Sequence, residues 1–131
     1  MPMYFDTHTH HCPFSHDGHQ SLDQLVDTAV ANGMDGVLLT DHYDVDFPSA
    51  GLMADTFDID EGMAEWRQYR ENHRPDCPIA VRYGIEIGYQ PHLTDLCRSM
   101  IDGGRFDGVI LSQPPAESWT ERIARGRLNR R

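Results

Sequence analysis

The chain has 131 residues, 39% of them hydrophobic, and carries a formal charge of −10. One domain's length suffices to bury a core without disulfides, and the acidity argues against nucleic acid as a partner, because phosphate backbones recruit Lys and Arg. No apolar run approaches the roughly 18 residues of a membrane span, and MPMYFDTHTH at the N-terminus lacks the basic and apolar regions of a secretory signal.

Residues 3–8 (MYFDTH) predict a first strand, followed by a histidine-rich loop. Ser21 is placed to cap a helix whose Leu22, Leu25, Val26, Ala29 and Val30 fall at helical spacing, and Gly33 supplies its stop. MDGVLLTDH (34–42) runs apolar without alternation, as a buried parallel strand does. A loop over 43–58 carries Pro48 and Gly51 and leads to a helix of roughly Asp60–Asn72. IAVRYGIEIGY (79–89) predicts a third strand. Thr94 is placed to cap a helix through Ile101, ended by Gly103 and Gly104, and FDGVILSQ (106–113) predicts a fourth strand. The order β-α-β-α-β-α-β implies a parallel sheet with right-handed crossovers. Four strands do not close a barrel, which takes about seven or eight at this repeat length.

Histidine is concentrated: FDTHTHHCPFSHDGH (5–19) holds five of the chain's eight. On a strand, residues two apart share a face. His8 and His10 therefore point the same way, and His11 points oppositely. A His-x-His pair at a strand end makes a two-toothed chelate, since neutral imidazoles suit Zn, Mn, Fe or Ni, although short His pairs also occur on plain surfaces. Asp6 shares that face and is a candidate to orient His8. In LLTDH (38–42) a polar Asp-His follows an apolar strand, at the rim where α/β sheets place their sites. Glu86 lies among Ile85, Ile87 and glycines, where an unpaired carboxylate is costly. A metal resolves that cost; an ion pair with Arg82 or plain exposure is the alternative.

DTHTHHCPFSHDG, LLTDH and GIEIGY, in this order and spacing, resemble the polymerase and histidinol phosphatase (PHP) family, most closely its histidinol-phosphatase type, over about residues 3–112. The resemblance implies an α/β fold, the N-terminal half of a distorted (β/α)7 TIM-like barrel with up to three divalent ions (Zn, Mn or Fe) at its C-terminal face. It implies His8 and His10 as ligands of one ion, Glu86 as a bridging carboxylate, and His16 and His42 as ligands of a third ion, with Asp41 orienting its neighbour or the loop. The implied reaction is hydrolysis of a small-molecule phosphate ester, L-histidinol phosphate to L-histidinol and phosphate in histidine biosynthesis, with a metal-activated water as nucleophile. Cations also explain how so acidic a protein accepts an anion. Other activities of the family, such as a protein-tyrosine phosphatase or a proofreading nuclease, stay open.

The remaining groups receive plainer readings. His11 is structural, His19 exposed, and His73 sits at a helix end where a cation suits the dipole. His92, on the rim after Glu86, is a bystander or a substrate or metal contact. Cys12 is filler. Cys12, Cys77 and Cys97 form no C-x-x-C pair and read as reduced thiols of a cytoplasmic protein.

Past Ser112 the family pattern stops. Pro114 stands where a histidine is expected, and no histidine follows His92. Residues 1–112 hold 6 Arg against 19 acids, whereas 113–131 hold 5 Arg against 2 acids. The expectation is a partial domain over 1–112 and an atypical arginine-rich tail over 113–131, out of frame or truncated, with a genuine divergent end as the alternative. Five ligands do not hold three ions, so an incomplete enzyme competes with a non-enzymatic metal-binding or assembly fragment needing a partner. The open sheet edge invites self-association.

Overall fold

The computed structural model describes residues 1–45 and 56–113. Most of the expected loop, with Pro48 and Gly51, and the arginine-rich tail from residue 114 lie outside the described residues. The strands are β1 (Phe5–Thr9), β2 (Gly36–Leu39), β3 (His42–Tyr43), β4 (Ala80–Gly88) and β5 (Gly108–Ser112). The helices are α1 (Leu22–Ala31), α2 (Ile59–Gln68), continued by a π-helical turn over Tyr69–His73, and α3 (Thr94–Asp102).

All pairings are parallel: β1 with β2, β2 and β3 with β4, and β4 with β5. With β2 and β3 following one another along β4, the order across the sheet is β1, β2 and β3, β4, β5, in a curled half-barrel with helices. The single strand expected over 34–42 is two. β2 aligns with Ala80–Tyr83 and β3 with Glu86–Ile87, and the break falls at Thr40 and Asp41. Its cause is local. The Thr40 hydroxyl accepts from the Thr9 amide at 3.0 Å and donates to the Thr9 carbonyl at 3.1 Å, while Asp41 turns its carboxylate to the His11 amide at 2.7 Å. These side-chain bonds add to the backbone bonds that Thr40 and Asp41 still make to Thr9 and Glu86, and the β1–β2 register shifts between Asp6 and Thr9. Irregularities of this kind re-aim side chains beside functional sites.

The helices end as their sequences dictate. Ser21 and Gln24 form a reciprocal capping box at α1, and Gly33 follows with φ of 71°. Asp58 caps α2 by accepting from the Asp60 and Glu61 amides. Thr94 does not cap α3 as expected; a 3-10 turn over Pro91–Leu93 leads in, and the Thr94 hydroxyl donates back to the Pro91 carbonyl at 2.8 Å. Gly104, with φ of 60°, follows the last turn.

Alternate residues of β4 divide the layers. Val81, Tyr83, Ile85 and Ile87 are buried with α1, α2 and α3, beside Val26, Met63 and Cys97. Each such aliphatic side chain stabilises by about 1.5–3 kcal/mol on burial. The other face carries Gly84 and Glu86. Leu38 crosses it, lying 3.1 Å from where a Gly84 Cβ would stand and 2.7 Å from a Gly108 Cβ. An apolar plug thus sits beneath the carboxylate end of the strand.

Candidate metal centre

β1 and β4 are not paired, yet their ends meet across the curl. His8 Nε2 and His10 Nε2 each lie 2.7 Å from the same Glu86 oxygen, Oε2. The shared face read from the H-x-H spacing is therefore real, and so is the burial of Glu86. Among the described residues Arg82 pairs not with that carboxylate but with Asp107, at 4.0 Å. Burial pushes the Glu86 carboxyl up, but hydrogen bonds from His8 and His10 and the charge of His42 outweigh it, leaving it below the usual value.

β3 brings His42 to the same place, its Nδ1 3.9 Å from Glu86 Oε2. This nitrogen is buried without an aligned hydrogen-bond partner among the described residues. The Asp44 carboxylate lies 3.2 Å away but off the ring's N–H direction. Its proximity, helped by Glu86 and Asp17 and opposed by burial, raises the His42 pKa to about 9. The His42 amide donates to the buried Ser15 hydroxyl at 2.8 Å, which ties β3 to the histidine-rich loop. His16, on that loop, stacks its ring on His42 at 5.5 Å. All five residues singled out in the sequence thus gather at one end of the sheet: His8, His10 and Glu86 in direct contact, His42 beside them, and His16 outermost.

Three residues of the site escaped the sequence reading. Asp17 lies 3.0 Å from His10 Nδ1 through both oxygens and 3.3 Å from His42 Nε2. Burial raises its carboxyl, and the hydrogen bond from His10 and the charges of both imidazoles bring it below its usual value. The signal was present as the acid directly after His16 in SHDG. Asp44 and Ser15 carried no spacing signal.

The other readings divide. His11 is structural as expected: it is buried, with its amide bonded to Asp41 Oδ1 and its Nδ1 2.7 Å from Oδ2, off the line of a good hydrogen bond. Asp41 thus orients the loop. Asp6 accepts from the His8 amide at 3.2 Å, acting on the backbone and not on the ring. His19 is exposed, and His92 is exposed in the 3-10 turn. His73 pairs with Asp23 of α1 at 2.8 Å, joining two helices instead of simply capping one.

The donor set of imidazoles and a carboxylate fits a divalent ion of the Zn, Mn or Fe type. Two groups have ligand atoms close enough to share one ion: His8, His10 and Glu86, and His10, Asp17 and His42. The orphaned Nδ1 of His42 is a further atom that a cation satisfies.

Comparison with known proteins bears on the fold and the family. Among curated proteins no relative matches the chain. A solved structure, a histidinol phosphate phosphatase from Lactococcus lactis subsp. lactis complexed with zinc, L-histidinol and phosphate, is similar to it with a TM-score of 0.70 and 27% identity over 84% of this chain. The chain spans 40% of the length of that structure. The PHP domain model matches residues 6–124. With this match over most of its length and a fold in agreement, the chain belongs to the PHP domain family.

Proposed function

We propose that this chain carries part of the metal centre of a phosphomonoester hydrolase whose substrate is L-histidinol phosphate. The observation that carries the reading is the convergence of His8 Nε2 and His10 Nε2 on one buried Glu86 oxygen. Buried carboxylates need compensation, and a cation shared with two imidazoles supplies it.

His8, His10 and Glu86 would hold one ion, with His42 and His16 toward a second. A divalent ion bound there supplies Lewis acidity for phosphoryl oxygens and lowers the pKa of water toward neutrality. The protein's own part is positional. β1 and β4 fix the first three ligands, Ser15 and Asp44 hold His42, and Leu38 keeps the floor of the site apolar. In a chain of net charge −10, the cations also reverse the local field that would repel a phosphate ester. The substrate assignment draws on the solved relative that binds L-histidinol and phosphate.

The test is phosphate release from L-histidinol phosphate and from a phosphotyrosine peptide by the chelator-stripped chain, with Zn²⁺, Mn²⁺ or Fe²⁺ added back. Release from histidinol phosphate that needs metal and disappears in Glu86→Gln supports the proposal. Full ion binding without turnover on either compound favours a metal-binding fragment that needs a partner. Failure to bind any divalent ion overturns both readings.

A further inference from the structure

We propose that the N-terminal end of the sheet carries a binding site for a small dianion of the phosphate type, separate from the metal centre. Arg70, Arg74 and Arg82 line one cavity of about 130 Å³ there, together with Cys77 and Ile79, and no carboxylate is among its lining residues. The volume is well above the roughly 10–15 Å³ that admits one water. Residues 1–112 hold 6 arginines against 19 acids, so half of those arginines meet at this one place. The cavity is remote from the metal ligands. Arg82 and Glu86 stand four residues apart on β4, about 13 Å along the strand, with Leu38 packed over Gly84 between them.

The local fold gathers these charges. α2 runs into the π-helical turn over Tyr69–His73, which the Arg74 amide closes on the Tyr69 carbonyl at 2.7 Å. Such turns widen a helix locally and recur at functional sites. Arg70 and Arg74, four positions apart, face the same cavity, where like charges repel unless an anion joins them. Arg74 is already held, by Asp27 of α1 at 2.5 Å and Asp23 at 3.7 Å. Arg82 reaches Asp107 only at 4.0 Å. Arg70 has no carboxylate partner among the described residues, and its guanidinium lies 5.2 Å over the Trp66 ring. Stacking of this kind orients the planar fork and leaves its edge N–H groups to a second partner. Two such forks on either side of a cavity match phosphate oxygens, which accept charge-assisted bonds in pairs.

Cys77 in the lining supplies the reporter. The chelator-stripped chain, in which phosphate meets no metal, is alkylated while folded with iodoacetate, an anion, and with neutral iodoacetamide. Peptide mass mapping follows Cys77 and, as reference, Cys12. The expected result is a higher iodoacetate-to-iodoacetamide rate ratio at Cys77 than at Cys12. Inorganic phosphate should protect Cys77 from iodoacetamide saturably, half-completely at about 1 mM, the affinity of two charge-assisted bonds. Chloride at equal ionic strength should not. Arg70→Gln and Arg82→Gln should each weaken the protection about tenfold, the loss of one such bond. Arg98→Gln, on an exposed arginine of α3 beside Asp95, should leave it unchanged. Equal rate ratios at the two thiols, protection by chloride as strong as by phosphate, or full protection in Arg70→Gln overturns the proposal. The wild-type comparisons decide even where a variant fails to fold. No readout depends on metal or turnover, so failure of the proposed function leaves this test standing.

Discussion

Glu86 Oε2 lies 2.7 Å from His10 Nε2 although the two are 76 positions apart in the chain and β2 stands between β1 and β4 in the sheet. The contact forms where β1 ends in an irregular register, at a break where Thr40 and Asp41 add side-chain bonds to their backbone ones. His8 reaches the same oxygen from a more open position: its side chain is 52% exposed against 16% for His10. The two ligands should therefore differ in weight. His10→Ala removes a ring held on both sides and should cost more Zn²⁺ affinity than His8→Ala, whose place water can take. Isothermal titration of the two variants measures the order, and an equal or reversed loss contradicts it.

The acids and imidazoles of the site make opposite contributions to stability in the metal-free chain. Glu86 has a folded pKa below its ordinary 4.5, so its contribution is complete above that value and is lost as pH falls through the folded one. His42 is raised from 6.5 to about 9, so its contribution is complete below 6.5 and is lost as pH rises through 9. Thermal midpoints in chelator should peak between the two windows, at about pH 5–6.5, and fall on either side. The alkaline fall should vanish in His42→Gln. A wild-type midpoint equal at pH 6 and 9 would refute the His42 contribution. Added Zn²⁺ should reverse the alkaline trend, because binding at His42 expels the proton.

The three thiols should separate by reactivity. Cys97 is 3% exposed in the layer between β4 and α3, and burial pushes its thiol up, which starves it of thiolate. Cys12 and Cys77 are half-buried. Alkylation of the folded chain with iodoacetamide, followed by peptide mass mapping, should label Cys12 and Cys77 first and Cys97 only after denaturation. Early labelling of Cys97 would show that α3 opens from the sheet.

Much of this arrangement was legible in the sequence because it depends on short-range periodicity. The H-x-H spacing put His8 and His10 on one face, and the apolar context of Glu86 announced a carboxylate in need of a partner. Ser21 and Gly33 bounded α1 as their chemistry requires. The break between β2 and β3 was not legible, because a Thr and an Asp inside an apolar run do not reveal that their side chains bond across to Thr9 and His11. Asp17 and Asp44 escaped for a related reason. In a chain with 21 acids, a carboxylate that meets an imidazole looks like any solvated one until the fold supplies its distance. The PHP resemblance stated from the motifs is confirmed by the match over residues 6–124.

The glycines of β4 and β5 give the last test, since they show how closely the half-barrel is packed beneath the metal centre. A Cβ on Gly84 would stand 2.6 Å from the Gly108 carbonyl oxygen and 3.1 Å from Leu38, and one on Gly108 would stand 2.7 Å from Leu38 Cδ2. The leucine can turn aside, but the backbone carbonyl of a paired strand cannot without opening the ladder. Gly84→Ala should therefore destabilise by about 1–3 kcal/mol, the usual cost of overpacking, and Gly108→Ala by less. Leu38→Ala should relieve Gly108→Ala but not Gly84→Ala, a difference that a double-mutant cycle in urea isolates. Because Glu86 is two residues along β4, Gly84→Ala should also weaken Zn²⁺ binding. Wild-type affinity in a destabilised Gly84→Ala would show that the carboxylate is held by its histidines and not by the strand register.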